Sequence, residues 1–332
     1  MKEKIIRLMI LLVVLTSCSN NENDQNIPGE LIADYITDSE IPTEIDGFVV
    51  DNNNIVYIAG RGAVLANLYT IDRNGKVAVL KTFHDLRFFY NRLTKNEKNE
   101  ILITTNDHEV GNMIYNFTNN YKSVASYYTM KPLGVTNSKP IILNAICNYT
   151  NDSYIVFDTG SLTIKEVNPL LSKETLIAGS GKDEVKDGIG ADASFKDVSQ
   201  IIIRNNIIYV IDRGDNNYLG NSIRKIENTV NGWKVTTLAT SRSYFFSGFK
   251  NISFDNQNNL YVLVDQEGIF KFNFNNNTLN LYKKDELKIR AYKTHSSINF
   301  KYLRFMEIKN DDLYLQEGSY FVKISNFQSQ IQ

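Results

Sequence analysis

The chain has 332 residues, of which 42% are hydrophobic and 22% charged, and its formal net charge is −1. This length is ample for a buried hydrophobic core. The near balance of basic and acidic residues argues against a nucleic acid as the partner. Beyond the N-terminus, no apolar run approaches the roughly 18 residues that a transmembrane helix needs.

The N-terminus has the features of a bacterial lipoprotein signal. Residues 1–7 form a basic head, and residues 8–15 form a short apolar run. This pattern is typical of a secretory signal peptide, and the run is too short to span a membrane. The sequence LTSC at residues 15–18 resembles a bacterial lipobox, which implies cleavage after residue 17 and acylation of Cys18. The alternative is an ordinary secretory signal followed by a chance cysteine.

Residues 18–29 are predicted to form a flexible tether that begins with the lipidated Cys18. They are rich in Asn and carry the acids Glu22 and Asp24, so they bury too little apolar surface to become ordered. Acids soon after the acylated Cys resemble the surface-export signal of lipoproteins in some Gram-negative anaerobes, which implies a surface-exposed position on the outer membrane. The chain then divides into a signal peptide (1–17), the tether (18–29) and a folded domain (30–326).

Short predicted strands recur at a nearly constant interval along the folded domain. Each unit is centred on a run rich in Ile, Val or Tyr, and these runs begin at Ile55, Ile101, Tyr154, Ile207, Leu260 and Leu313. The first interval is 46 residues and the next four are 53 residues each. In most units one strand precedes the central run and two follow it, with turns rich in Asn, Asp and Gly between them. This pattern predicts an all-β fold, a six-bladed β-propeller of four-stranded antiparallel blades, whereas a β-sandwich would not explain the equal intervals.

One unit carries a motif that resembles a known family. The motif consists of AGSG at 178–181, DGIG at 187–190, ASF at 193–195, IIYVID at 207–212 and IRKI at 223–226. These segments resemble an NHL repeat, and the resemblance is strong over about 50 residues and weak in the other units. It implies a propeller, but it implies no particular reaction because propellers serve as enzymes, binding modules and scaffolds.

The last unit lacks a fourth strand in the sequence. Its third predicted strand is residues 320–324, and the chain ends shortly afterwards. Residues 30–36 precede the first unit and belong to none. We predict that they pair beside residues 320–324 and close the ring, because the third strand would otherwise be left as an open edge.

The candidate ligand-binding residues lie in two sets of loops that share one face of a propeller. The loops after the second strands contain Arg61, Asp107, His108, Asp158, Asp212 and Arg213, and the blade-to-blade loops contain Tyr90, Arg92 and Tyr244. Aromatic side chains beside Arg would suit stacking on a sugar ring or a peptide. The alternative is that the aromatic residues wedge between blades, as Phe195 does in the family pattern.

The sequence gives little support for a cofactor or a metal. A ring of Asp residues after the second strands could hold a divalent cation, but we favour the alternative that each Asp caps its own turn. His84, His108 and His295 lack the HxH or HExxH spacing of zinc sites. There is also no GxSxG motif and no P-loop. Cys147 lies in an apolar run, and we expect a small buried side chain there and not a nucleophile.

We predict a monomeric, surface-exposed outer-membrane lipoprotein that is held in the membrane by acyl chains on Cys18. Its propeller would be non-catalytic, would carry no cofactor, and would bind a protein partner or a glycan at the loop face. A metal-dependent hydrolase or lyase of the propeller type is the alternative function. A structural subunit of an outer-membrane uptake complex is the third.

Overall fold

The computed structural model describes residues 31–37, 40–41, 44–61, 66–83, 92–107, 111–118, 123–129, 143–150, 152–214, 220–241, 248–283, 287–289, 297–299 and 302–330. Within these ranges the secondary structure consists of β-strands with short 3-10 helices at Gly190–Asp192 and Phe327–Gln330. No helix of these ranges is long and apolar enough to cross a membrane. The all-β class predicted from the sequence is confirmed.

After β1 (Ile32–Tyr35), consecutive strands build a series of antiparallel blades. The first comprises β2 (Glu44–Val50), β3 (Val56–Arg61), β4 (Ala66–Ile71) and β5 (Val77–Phe83). The second comprises β6 (Arg92–Lys95), β7 (Ile101–Asp107), β8 (Gly111–Thr118) and β9 (Ser123–Thr129). The third comprises β10 (Leu143–Thr150), β11 (Ser153–Asp158), β12 (Thr163–Asn168) and β13 (Lys173–Ala178).

The fourth and fifth blades follow the same pattern. The short strand β14 (Gly188–Ile189) precedes the fourth blade, which comprises β15 (Val198–Arg204), β16 (Ile207–Arg213), β17 (Asn221–Thr229) and β18 (Gly232–Thr240). β14 pairs with β18, the outermost of these four strands. The fifth comprises β19 (Phe249–Phe254), β20 (Leu260–Val264), β21 (Gly268–Asn273) and β22 (Thr278–Lys283).

A further sheet, here named the composite sheet, joins strands from both ends of the described chain. It contains β23 (Leu287–Ile289), β24 (Ser297–Ile298), β25 (Leu303–Lys309), β26 (Asp312–Glu317), β27 (Tyr320–Ile324) and β1. β1 pairs antiparallel with β27, with Asp34 opposite Lys323 and Tyr35 opposite Val322. On its other side β1 pairs in parallel with β23. The predicted pairing of residues 30–36 with residues 320–324 is confirmed for these two strands.

The predicted number of blades needs a correction. The described residues form five blades of four consecutive strands, not six. After β27 the chain turns into the 3-10 helix Phe327–Gln330, and the described residues contain no fourth strand after it. The outer part of the composite sheet is therefore taken from β1, β23 and β24, which lie elsewhere in the sequence.

Buried hydrophobic clusters fill the junctions between neighbouring sheets. Between the third and fourth blades, the rings of Phe157 and Phe195 pack edge to face with centroids 6.5 Å apart. Between the composite sheet and the first blade, Phe48 packs on Phe321 with centroids 5.0 Å apart. The first strand of each blade contacts the first strand of the next, and β25 contacts both β19 and β2. The sheets are thus arranged as in a propeller, around a central cavity.

Asp and Asn side chains shape the turns between first and second strands. Oδ1 of Asp51 accepts hydrogen bonds from the backbone N–H groups two and four residues ahead, at 2.7 and 2.8 Å. Asp255 makes the same two bonds in the fifth blade, both at 2.8 Å. Asn54 and Asn258 have positive φ angles of 60° and 65°, which Asn tolerates better than most residues. The abundance of Asn and Asp in the sequence therefore has a structural cause.

Candidate functional site

The central cavity is the main candidate site. It has a volume of about 580 Å³ and is lined by residues of β2, β6, β10, β15, β19 and β25, the strands nearest the centre. Cavities of roughly 300–1,000 Å³ are typical of small-molecule sites. Its lining combines polar and apolar surface in nearly equal shares.

One end of the cavity, here named the Arg213 rim, lies at the predicted ligand face. Arg213 ends β16, and Asp265 directly follows β20. Nη2 of Arg213 lies 2.8 Å from Oδ2 of Asp197, and Nζ of Lys250 lies 3.3 Å from Oδ2 of Asp265. Arg213, Lys250 and Asp265 all line the cavity. The rim therefore presents both hydrogen-bond donors and acceptors.

Two buried polar atoms beside the cavity have no hydrogen-bond partner within the described part of the chain. They are Nε of Arg213 and Oδ1 of Asn251, and both residues line the cavity. A buried polar atom without a partner costs about 1–3 kcal/mol of stability.

Asp212 lies in the protein interior, at the end of β16. Its carboxylate accepts hydrogen bonds from Nη1 of Arg224 at 2.9 Å and from the backbone N–H groups of Lys196 and Asp197, both at 3.1 Å. Burial raises the pKa of Asp212 above its usual value, and Arg224 opposes this shift. Because the protein's own donors hold this carboxylate, we assign Asp212 a structural role in place of the predicted ligand contact.

Arg224 joins the outer and inner parts of the fourth blade. Its side chain is fully buried and donates to the backbone carbonyls of Ser194 and Lys186, each at 2.6 Å. It also lies 3.1 Å from the carboxylate of Asp187. Its guanidinium carbon stands 4.6 Å from the ring centroid of Phe195. Residues of the segments that resemble an NHL repeat thus form one network around the buried Arg224.

The third blade contains a buried ion pair at the position that Asp212 and Arg224 occupy in the fourth. Nζ of Lys165 lies 2.7 Å from Oδ2 of Asp158, and Asp158 also accepts from the backbone N–H of Gly160 at 2.9 Å and from the hydroxyl of Ser161 at 2.7 Å. Both members of the ion pair are buried. As in the fourth blade, an Asp that ends a second strand is neutralised by a cation on the third strand. Asp158 therefore has a structural role as well.

For three of the other predicted site residues the structure describes the backbone only, and it does not describe the rest. Arg61 ends β3, Arg92 begins β6 and Asp107 ends β7, all at the same end of the blades as Arg213. Their side chains lie outside the described residues, as do Cys18, Tyr90, His108 and Tyr244, and also His84 and His295. Of the predicted ligand-binding residues, the structure therefore brings Arg213 to the cavity.

Metal-ligating residues do not converge in the described residues. No group of three or more His, Cys, Asp or Glu side chains in those ranges is placed to hold a metal ion. The thiol of Cys147 packs against the cluster between the third and fourth blades, and burial raises its pKa to about 12. Such a thiol is almost wholly protonated at neutral pH and is a poor nucleophile.

Sequence reasoning did not find Lys250 and Asn251, which lie on β19 and line the cavity. A register shift between Phe249 and Asn251 interrupts the pairing of β19 with β20. A bulge of this kind shifts the side-chain alternation by one residue. The alternating pattern of the sequence therefore could not show which residues of this strand face the centre.

Comparisons with known proteins concern the fold. No protein-family model matches the chain, and no curated protein matches it significantly. A protein of unknown function from Bacteroides thetaiotaomicron VPI-5482 is 14% identical, with a TM-score of 0.60 over 90% of this chain and 74% of that chain. Virginiamycin B lyase from Staphylococcus aureus is 13% identical, with a TM-score of 0.52 over 89% of this chain and 98% of that chain.

A third match is PorZ, a bacterial surface component of the type-IX secretion system of Porphyromonas gingivalis. It is 12% identical, with a TM-score of 0.56 over 87% of this chain and 47% of that chain. Identities this low carry information on the fold alone. Together with the sheet topology, these similarities show a β-propeller arrangement of four-stranded antiparallel blades.

Proposed function

We propose that this protein is a lipid-anchored, non-catalytic binding propeller that holds a glycan or a protein partner at the Arg213 rim. The observation that carries the proposal is the central cavity, whose rim mixes donors and acceptors and borders two unpartnered buried atoms. The hydroxyl groups of a sugar both donate and accept hydrogen bonds, so a glycan suits this rim well. A polar loop of a protein partner would offer the same groups.

The metal-dependent hydrolase or lyase has less support. Its candidate metal ligands included Asp158 and Asp212, and each of these carboxylates is bound to a buried cation of the protein itself. A carboxylate neutralised in this way has little attraction left for a divalent ion. The binding function needs neither residue.

We also propose that the composite sheet serves as a sixth, NHL-like blade. Its first strand, β25, lies between β19 of the fifth blade and β2 of the first. Hydrophobic clusters that include Leu315 and Phe321 pack it against both neighbours. β1, the strand next to β27, would then take the place of the missing fourth strand.

The lipid anchor is testable through the two cysteines of the chain. We expect Cys18→Ala to prevent acylation and to move the protein from the membrane fraction to the soluble fraction, because the acyl chains would be its attachment to the membrane. The measurement is metabolic labelling with an alkyne fatty acid, followed by fractionation of the cells. The matched control is Cys147→Ala, which should keep the label. Persistent labelling of Cys18→Ala would contradict the proposal.

Ligand binding is testable with a glycan array and the full-length protein in a neutral detergent. We expect one class of glycan to be retained, and Arg213→Ala to weaken its binding about tenfold through the loss of charge-assisted hydrogen bonds. Affinities would be measured by calorimetry with the retained glycan.

The matched control for this experiment is Arg73→Ala. Arg73 lies in the turn between β4 and β5, away from the Arg213 rim, where its Nε donates to the backbone carbonyl of Asn53 at 2.8 Å. This variant should bind as the wild type does. An array without any retained glycan would exclude the glycan and leave a protein partner. Binding that Arg213→Ala does not weaken would contradict the site.

A further inference from the structure

Two lysine side chains converge at the end of the cavity opposite the Arg213 rim. Lys95 ends β6 and Lys309 ends β25, so they come from different sheets. Their Nζ atoms lie 2.9 and 2.8 Å from the same atom, Oδ1 of Asn52. The two ammonium groups are therefore within about 6 Å of one another. Like charges at this separation repel unless something neutralises them.

The described part of the chain supplies no ion pair for either ammonium group. Nζ of Lys95 donates to the backbone carbonyl of Val50 at 3.2 Å as well as to Asn52. Among the described residues, Nζ of Lys309 donates to Asn52. An ammonium group has three donors, so the pair retains three donors between its two members. Both side chains are partly exposed to solvent, which leaves room for a ligand.

The nearest acids, Glu307 and Asp51, offset this charge only in part. Glu307 lies two residues before Lys309, and its Oε2 accepts the backbone N–H of Val50 at 3.0 Å. Burial raises the pKa of Glu307 to about 7, so this group is only partly ionised at neutral pH. Oδ1 of Asp51 is engaged by backbone N–H groups of its own turn. Burial and the neighbouring Lys309 lower the pKa of Lys95 to about 8.

We propose that Lys95 and Lys309 bind an oxyanion, namely a phosphate, sulfate or carboxylate group, at this second mouth of the central cavity. An oxyanion would accept hydrogen bonds from the free donors and would neutralise the two like charges. Lysine serves as a point-charge binder of such groups. Thr94 and Ile308, the residues that precede the two lysines, line the cavity. The anion can therefore belong to a free ion or to a larger ligand that enters the cavity.

The first probes are inorganic phosphate and sulfate, added to the full-length protein in a neutral detergent at constant ionic strength, with chloride as the reference. We expect both to raise the melting temperature and to give a saturable heat of binding. Lys309→Met should weaken phosphate binding about tenfold, because it removes charge-assisted hydrogen bonds. The matched control is Lys234→Met, an exposed position on β18, which should bind phosphate as the wild type does.

A titration of the Lys95 ammonium group by NMR tests the same site without any substitution. We expect the pKa of about 8 to rise when phosphate is added, since an anion favours the charged lysine. Sulfate is the probe for the pH dependence, because its charge is constant between pH 6 and 9, whereas phosphate gains negative charge within this range. Sulfate affinity should fall as the pH rises from 6 to 9, because Glu307 gains charge near pH 7 and Lys95 loses its proton near pH 8. Lys309 and Asp51 also face Lys95.

The outcomes separate the sources of the anion and decide the proposal. Saturable binding of phosphate or sulfate alone supports a site for a free ion. Competition between phosphate and a glycan retained at the Arg213 rim would show that the anion belongs to a larger ligand. The proposal fails if neither ion binds and the Lys95 titration does not respond to phosphate. It also fails if Lys234→Met loses as much phosphate binding as Lys309→Met.

Discussion

Replacement of Arg224 by Met is expected to lower the free energy of unfolding by about 3–5 kcal/mol, because breaking a buried ion pair leaves an uncompensated charge behind. Arg224 and Asp212 are both fully buried and lie 2.9 Å apart. The substitution would also remove donors from two backbone carbonyls of the fourth blade. Urea unfolding can be followed through the fluorescence of Trp233, the single tryptophan, which packs against the adjacent cluster.

The effect of Arg224→Met should depend on pH with a defined sign. Without Arg224, the pKa of Asp212 should rise further above its unfolded value, since the cation that opposes the effect of burial is gone. A group with a raised pKa in the folded state gains stability as the pH falls through that pKa. The loss in free energy of unfolding, relative to the wild type, should therefore be smaller at pH 5 than at pH 8. Asp212→Asn in the same variant should recover part of the loss.

Lys225→Met is the matched control for this prediction. Lys225 is the next residue on β17 and pairs with Glu227 at 2.9 Å near the surface. Surface ion pairs contribute about 1 kcal/mol or less, so this variant should unfold almost as the wild type does. A loss below about 1 kcal/mol for Arg224→Met, or equal losses for the two variants, would show that the buried network does not stabilise the blade.

Deletion of residues 31–36, which contain β1, is expected to lower the free energy of unfolding by about 4–6 kcal/mol. Leu31, Ile32 and Ala33 are buried in the described structure, and each large aliphatic side chain contributes about 1.5–3 kcal/mol. The deletion also removes the backbone hydrogen bond from Ile36 to Phe321. The edge of β27 would then be exposed, so the variant should aggregate as well.

The control for this prediction is a deletion of the same length within the predicted tether, residues 20–25. It shortens the chain equally but removes none of the buried residues of β1, so the melting temperature should stay unchanged. Calorimetry and light scattering on both full-length variants measure stability and aggregation. An unaltered melting temperature after deletion of residues 31–36 would mean that β1 contributes little to the composite sheet.

The blades could be predicted from the sequence because their signals are local. Constant spacing of apolar runs and Asx turns such as Asp51 and Asp255 depends on a few neighbouring residues. Pairing of β1 with β27 could also be deduced, because counting strands left one unit incomplete. The count of six blades was wrong for the described residues, since the spacing of the central runs does not show that the last sheet takes its outer strands from β1 and from β23 and β24, which precede β25.

The candidate sites were harder to predict than the blades. An Asp after a strand has the same appearance in the sequence whether it meets a ligand or, like Asp158 and Asp212, a buried cation on the next strand. Lys95 and Lys309 are separated by more than 200 residues, and only the circular arrangement brings them onto one amide oxygen. No local sequence pattern indicates that two residues so far apart in the chain lie close together in the structure. Proximity of this kind becomes visible only once the packing of the sheets is known.

The composite sheet also determines the order in which parts of this protein can fold. β1 is synthesised well before its neighbour β27, and the hydrogen bond from the backbone N–H of Ile32 to Oε1 of Gln330 spans 298 positions. Contacts of such long range form slowly, because a large loop must close first. The five blades can assemble from local contacts as the chain emerges. Until β27 has been synthesised, β1 lacks its antiparallel partner, and an unpaired strand edge exposes the growing chain to aggregation.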